Sequence, residues 1–193
     1  MFQVVYLTGA PASGKSSLAK ALSLRIQPFE LFEYGRRLTE YVAAKTGDDL
    51  LQTTLREKSA AVVTPADVSA VDRQLLEFVD SKRTTANIII DSHAVTKESY
   101  GYRVTPFKLE DFALLRPTQI WLLYISPGET IRRIAENSGG RPSVNAWEAD
   151  FHLKMQASVA ITYGMHVGVP VHIIHGNKSA EDLAYDLERR FSA

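Results

Sequence analysis

Short apolar runs and longer amphipathic stretches take turns along the chain. Residues 2–8 (FQVVYLT), 88–91 (IIID), 119–125 (QIWLLYI) and 169–175 (VPVHIIH) are runs of strand length, rich in β-branched and aromatic residues. Such runs predict strands covered on both faces. A shorter strand is predicted at 30–34 (ELFEY). Between these runs, apolar positions recur at helical spacing and predict helices over 15–26, 35–45, 64–83, 126–137, 145–166 and 179–190. Thr64, Pro65 and Asp67 supply a hydroxyl N-cap, a proline at the first position and an acid in the first turn. Ser126 with Glu129 predicts a capping box, and Ser179 with Asp182 caps the last helix. Gly47 and Gly168 close two of the helices. Strand and helix alternate throughout, which predicts a parallel sheet inside an α/β sandwich.

The first strand breaks abruptly into a chemical motif. Gly9, Ala10, Pro11, Ala12, Ser13, Gly14, Lys15 and Ser16 fill every fixed place of G-x-x-x-x-G-K-[ST], with a strand before and a helix after. Glycines let the backbone turn its N–H groups around an anion, and the helix N-terminus adds unpaired donors. Lys15 is placed to neutralise outer phosphates, and the Ser16 hydroxyl to sit on Mg²⁺. Ser17 either touches the α-phosphate or faces solvent.

Composition narrows the rest. Lys plus Arg and Asp plus Glu number 22 each, so no basic field argues for nucleic acid or an anionic membrane. The chain has no cysteine, which removes disulfides, thiolate nucleophiles and Cys-ligated zinc. No apolar run approaches the ~20 residues of a spanning helix, and no signal peptide is read, so a cytoplasmic protein is expected. The 193 residues suit one domain. Trp121 is expected in the core and Trp147 in packing on the long helix. His172 and His175 have no carboxylate at ligand spacing and are assigned no metal.

Asp91 ends the third predicted strand, where open α/β sheets bind ligands. It is placed either to hold the metal and its water or to take a hydroxyl proton. His93 nearby reads more readily as structural than as a base.

Taken together, LTGAPASGKSS, FEYG at 32–35 and IIIDSHAVTKESYGY at 88–102 resemble the archaeal-type adenylate kinases, P-loop nucleoside monophosphate kinases. The likeness extends to VHIIHGNKSAEDL at 171–183. It implies a P-loop NTPase three-layer sandwich with a five-stranded parallel sheet. It further implies a helical acceptor-binding region at about 35–82 and a short lid at about 134–145. The implied reaction is MgATP plus AMP giving two ADP, with no nucleic acid or membrane partner and no protein partner deducible. Lys15, Asp91, Arg132 and Arg141 then fall on catalytic positions. Arg133, Asn177 and the phosphate loop through Ser17 fall on the ATP side. Tyr34, Gly35, Arg56, His93 and Thr96 fall on the acceptor side.

The pattern also departs from that family. Ala135, Gly139 and Ala157 stand where further arginines are expected, and RVTPF, with Arg103, replaces a glycine–leucine–proline step. Arginines from separate segments favour a phosphate acceptor, because such an acceptor is already anionic and needs charge rather than a base. Arg132 and Arg133 are adjacent and cannot share one helix face. Two other readings stay open: a small-molecule kinase with an alcohol acceptor and Asp91 as base, or a slow ATPase or switch with a protein or RNA partner.

Overall fold

The computed structural model describes residues 2–47 and 62–191. Its elements run β1 (Val4–Thr8), α1 (Lys15–Ser23), β2 (Phe29–Glu33), α2 (Tyr34–Thr46), α3 (Pro65–Lys82), β3 (Asn87–Asp91), β4 (Val95–Glu98) and β5 (Gly101–Val104). They continue α4 (Leu109–Leu115), β6 (Gln119–Tyr124), α5 (Pro127–Glu136), α6 (Ala146–Val167), β7 (Val171–His175) and α7 (Ala180–Glu188). Five strands form one sheet in the order β2-β3-β1-β6-β7, with every neighbouring pair parallel.

Alternate residues of each central strand feed two separate cores. Val4, Tyr6, Ile88, Ile90 and Ile120 face α3, α4 and α6 through Val71, Leu75, Phe112, Ala160 and Tyr163. Val5, Leu7, Ile89, Trp121 and Leu123 face α1 and α7 through Leu18, Leu22, Leu183 and Leu187. Both faces of the sheet are therefore dry, which is why these strands read as continuous apolar runs rather than as alternating ones.

Caps fix where several helices begin. Thr64 and Asp67 form a reciprocal capping box on α3, and Asn145 and Glu148 form another on α6. The box expected at Ser126 is only half made. Its hydroxyl accepts from the Glu129 N–H, but the Glu129 carboxylate turns to Arg132 and Arg133 instead. The antiparallel hairpin β4–β5 and the short α4 were not predicted. Their elements are only 4, 4 and 7 residues long, too short to show a period. Trp147 is exposed and stacked flat on Phe151, not packed inside as expected.

Candidate active site

The phosphate loop takes its shape from backbone conformations that few residues tolerate. A Cβ on Gly9 would lie 2.2 Å from the Leu123 carbonyl oxygen, so no side chain fits there. Ala12 (φ 62°) and Gly14 (φ 96°) are both left-handed. Left-handed residues within a tight turn swing successive N–H groups toward one side, the geometry of an anion nest. Gly14 is the N-cap of α1 and offers no side-chain cap, and the first turn holds no acid. The leading N–H groups of α1 are therefore left for an anion, at the positive end of the helix dipole. The Ser13 hydroxyl is buried and has no hydrogen-bond partner among the described residues. These features fit a polyphosphate. Lys15 Nζ donates to the carbonyls of Gly9 at 3.0 Å and Ala10 at 3.5 Å, curled over the cradle whose phosphates it is expected to neutralise.

At the next residue, Ser16 Oγ donates to Asp91 Oδ2 at 2.7 Å. The bond joins the start of α1 to the carboxyl end of β3. A hydroxyl and a carboxylate side by side, next to a phosphate cradle, are the hard oxygen donors that Mg²⁺ takes together with phosphate oxygens and waters. The donor set therefore fits Mg²⁺. Among the described residues no cluster of three His, Asp or Glu side chains could hold a metal on its own.

A cavity of about 250 Å³ opens from this pair. The phosphate loop, the ends of β2 and β3, the start of α2, the β4–β5 hairpin and the 141–144 segment wall it. Glu33 and Asp91 are register partners on the adjacent strands β2 and β3, and both line it. Arg36 Nη1 stands 3.4 Å from the Glu33 carboxylate. Farther in, Tyr34 Oη donates to Asp72 Oδ1 at 2.7 Å. Burial raises the Asp72 pKa above the usual carboxylate range, partly offset by that hydrogen bond. Burial and the neighbouring Asp72 likewise push the Tyr34 phenol up. Leu38, Val63, Val68 and Phe107 supply apolar wall around these groups.

The expected site residues divide into those the fold gathers and those it does not. Lys15, Ser16, Tyr34, Gly35, Asp91, His93, Thr96 and Arg141 all line the cavity, as do Pro11 and Ala12. Arg141 Nη1 also donates to the Ser138 carbonyl at 3.1 Å. Arg133 reaches across from α5, donating to the carbonyls of Ala12 at 3.2 Å and Gly176 at 3.3 Å, so it braces the phosphate loop from behind. Arg132 is not brought to the cavity. One position along the helix, it points outward and is held by Glu129 and Glu136, each at 2.7 Å. Asn177 and Ser17 are exposed and off the cavity wall. Arg56 lies outside the described residues.

Several wall residues escaped the sequence reading. Glu33 and Lys97 lie within the FEYG and IIIDSHAVTKESYGY stretches without marking themselves out there, Asp72 carries no motif, and Arg103 shows only as a departure from the family pattern. Arg103 reaches the wall because the hairpin pairs Thr96 with it, and Glu98 holds it at 3.0 Å. Lys97 Nζ donates to Glu148 at 2.6 Å and to the Ser143 carbonyl at 3.1 Å, tying the hairpin to the start of α6. His152, also on the wall, is kept neutral by burial, which lowers its pKa to about 4.

Comparison with known proteins supports this picture at the level of family and fold. Residues 8–149 match the AAA domain family, and the chain belongs to it. No curated protein matches the sequence. The fold is similar to that of a shikimate kinase from Bacteroides thetaiotaomicron, at 16% identity and TM-score 0.59 with 99% of each chain covered. It is also similar to a shikimate kinase from Acinetobacter baumannii in complex with shikimate, at 13% identity and TM-score 0.54, covering 98% of this chain and 93% of that one. A sugar kinase from Janibacter sp. shares it at 14% identity and TM-score 0.55, covering 96% and 92%. The fold is thus the five-stranded α/β P-loop kinase fold. The resemblance to adenylate kinases is supported only at that coarser level. Among the described residues no helix is long and apolar enough to cross a membrane.

Proposed function

We propose that this AAA-domain chain transfers the γ-phosphoryl group of MgATP to a hydroxyl of a small-molecule acceptor. The observation that carries the reading is the pair of carboxylates at the ends of β2 and β3. Asp91 is engaged by Ser16 on the phosphate side, while Glu33 stands beside it in register on the same cavity. A phosphate acceptor has a second pKa of ~6 and needs no base at neutral pH. An alcohol does gain from a carboxylate within reach. The fold is shared with kinases named for shikimate and sugars, both hydroxylated molecules.

The assignment moves the base from Asp91, where the alcohol reading first placed it, to Glu33. Bound Mg²⁺ supplies charge neutralisation at the outer phosphates, and Ser16 and Asp91 are the residues that would hold it. Lys15 and the loop N–H groups hold the phosphates in place. The acceptor hydroxyl gives its proton to Glu33 as its oxygen bonds to the γ-phosphorus. The bond from that phosphorus to the β,γ-bridging oxygen breaks, and ADP leaves. Tyr34 and Asp72 orient the acceptor body. Arg141 reaches the transferring group if its segment closes.

A second reading, transfer to AMP, keeps one observation in its favour: Arg36, Arg103 and Arg141 share the wall with Tyr34 and Gly35. Product formation from MgATP with shikimate, hexoses, nucleosides, AMP, CMP, GMP and UMP separates the two. Turnover of an alcohol well above the water-only rate supports the first reading. Turnover confined to a nucleoside monophosphate overturns it.

A further inference from the structure

We infer that Gln156 is a positioning residue that sets the spacing of Ser16 and Asp91 for the metal. The side chain sits at the middle of α6, fully buried. Its Nε2 donates to Thr8 Oγ1 at 2.7 Å, and its Oε1 accepts from the Val95 N–H at 3.2 Å. Thr8 is the last residue of β1 and is itself fully buried, immediately before Gly9 of the phosphate loop. Val95 opens β4, four residues past Asp91.

The position is where the sheet ceases to hold these two segments together. The ladder between β1 and β3 ends with Leu7 opposite Asp91 and the Ser92 N–H donating to the Leu7 carbonyl at 3.1 Å. Past that point one chain turns into the phosphate loop and the other into the hairpin. Gln156 spans the gap that opens between them. One turn earlier on α6, His152 is also buried, and its Nε2 donates to the Val95 carbonyl at 2.9 Å. Both peptide groups of Val95 are thereby held by one helix. A buried amide is costly unless its donor and acceptor are both used, and Gln156 uses both on the segments that carry the metal-side pair. Plain packing at this place calls for Leu or Met instead.

The inference rests on reading Ser16 and Asp91 as the metal-side pair, and its test needs no acceptor. ATP binding is measured calorimetrically with Mg²⁺ and with EDTA, alongside thermal melts, for the wild type, Gln156→Met and Thr8→Val. Thr8→Val is nearly isosteric and breaks the same tie from the opposite strand, so one of the two variants serves if the other does not fold. Residues that orient metal ligands typically govern 10- to 100-fold in metal affinity. Both variants should bind ATP in EDTA as the wild type does, while the tightening that Mg²⁺ brings falls about 10-fold. A merely structural role lowers both affinities together, and that result overturns the inference, as does an unchanged Mg²⁺ effect in a folded variant. A wild type that binds ATP without any Mg²⁺ effect instead removes the metal-side reading, and the inference falls with it.

Discussion

At the nucleotide end of the cavity, consecutive residues from Gly9 to Ser16 make nearly the whole site, and backbone conformation does most of the shaping. At the end we propose for the acceptor, Glu33, Tyr34, Asp72, Arg103 and Phe107 arrive from β2, α2, α3, β5 and the segment after it. The first end is a local structure that binds through peptide groups. The second exists only when distant segments pack, and on the proposed reading it binds through side chains. A phosphate cradle can therefore persist while the acceptor changes, because the two ends share little beyond the Asp91 strand end.

The sharpest way to break that separation is Lys15→Ala. Loss of one preorganised charged donor at the transferring group should cost about 10³-fold in turnover. The melting temperature should stay near wild type, since the ammonium's hydrogen bonds to the Gly9 and Ala10 carbonyls replace ones that it makes to water. Retained turnover removes the phosphate-loop assignment. An equal loss of ATP affinity in acceptor-end variants removes the division into two ends.

Glu33→Gln tests the acceptor end alone. If Glu33 takes the hydroxyl proton, transfer to an alcohol should fall 10²- to 10⁴-fold, the usual range for a general base. ATP binding should hold, and so should any transfer to AMP. Asp91→Asn should behave differently, raising the Mg²⁺ needed and lowering every phosphoryl transfer at once. If Glu33→Gln transfers normally while Asp91→Asn loses only the alcohol reaction, the two carboxylates have been assigned in reverse.

The same contrast governs what the sequence discloses. The phosphate loop is legible because its function is spelled in contiguous residues with one permitted backbone. The three inner strands are legible because burial on both faces leaves unbroken apolar runs, and the partly buried edge strands β2 and β7 are legible by their β-branched and aromatic content. Glu33 and Asp72 are not legible, because their meaning lies in a strand register and a helix packing that no local pattern encodes. Arg103 surfaced only as a misfit, and its placement depends on a hairpin whose four-residue strands leave no period to read. Arg132 and Arg133 differ for the opposite reason: they look alike in sequence, and helical geometry alone sends one to the phosphate loop and the other to solvent.

The contrast between an arginine on the cavity wall and one turned to solvent can be measured on Arg141 and Arg132. Arg141→Ala should lower kcat roughly 10-fold with the KM values little changed, if its segment closes on the transition state. Arg132→Ala should leave kcat at wild type, because its partners Glu129 and Glu136 lie on its own helix. Equal effects from the two would mean that the exposed face of α5 also meets substrate.

A pH series probes the helix that braces both ends. Burial holds the folded His152 pKa at about 4, against an ordinary value of 6.5. Between these values the unfolded chain binds a proton that the folded one does not. Stability should therefore fall as the pH drops from about 6.5 toward 4. His152→Gln should flatten that part of the melting-temperature profile. An equally steep profile in the variant assigns the dependence to other groups.

The smallest expected effect concerns the floor beneath the acceptor end. Tyr6 is buried at the centre of an aromatic cluster, with ring centroids 5.1 Å from Phe112, 5.8 Å from Tyr163 and 6.2 Å from Phe107. Its hydroxyl has no hydrogen-bond partner among the described residues. Ser92 stands near it, at a geometry that falls short of a bond. Ser13 carries the matching orphan hydroxyl at the nucleotide end. An unsatisfied buried hydroxyl costs about 1–3 kcal/mol. Tyr6→Phe removes it and keeps the ring contacts, so it should raise the melting temperature by roughly 2–4 °C per kcal/mol regained in a chain of this size. ATP binding should not change, because the hydroxyl makes no hydrogen bond to the phosphate loop or to Asp91. A melting temperature that falls instead would mean that the hydroxyl is bonded through a water, and the orphan at the acceptor floor would be no orphan.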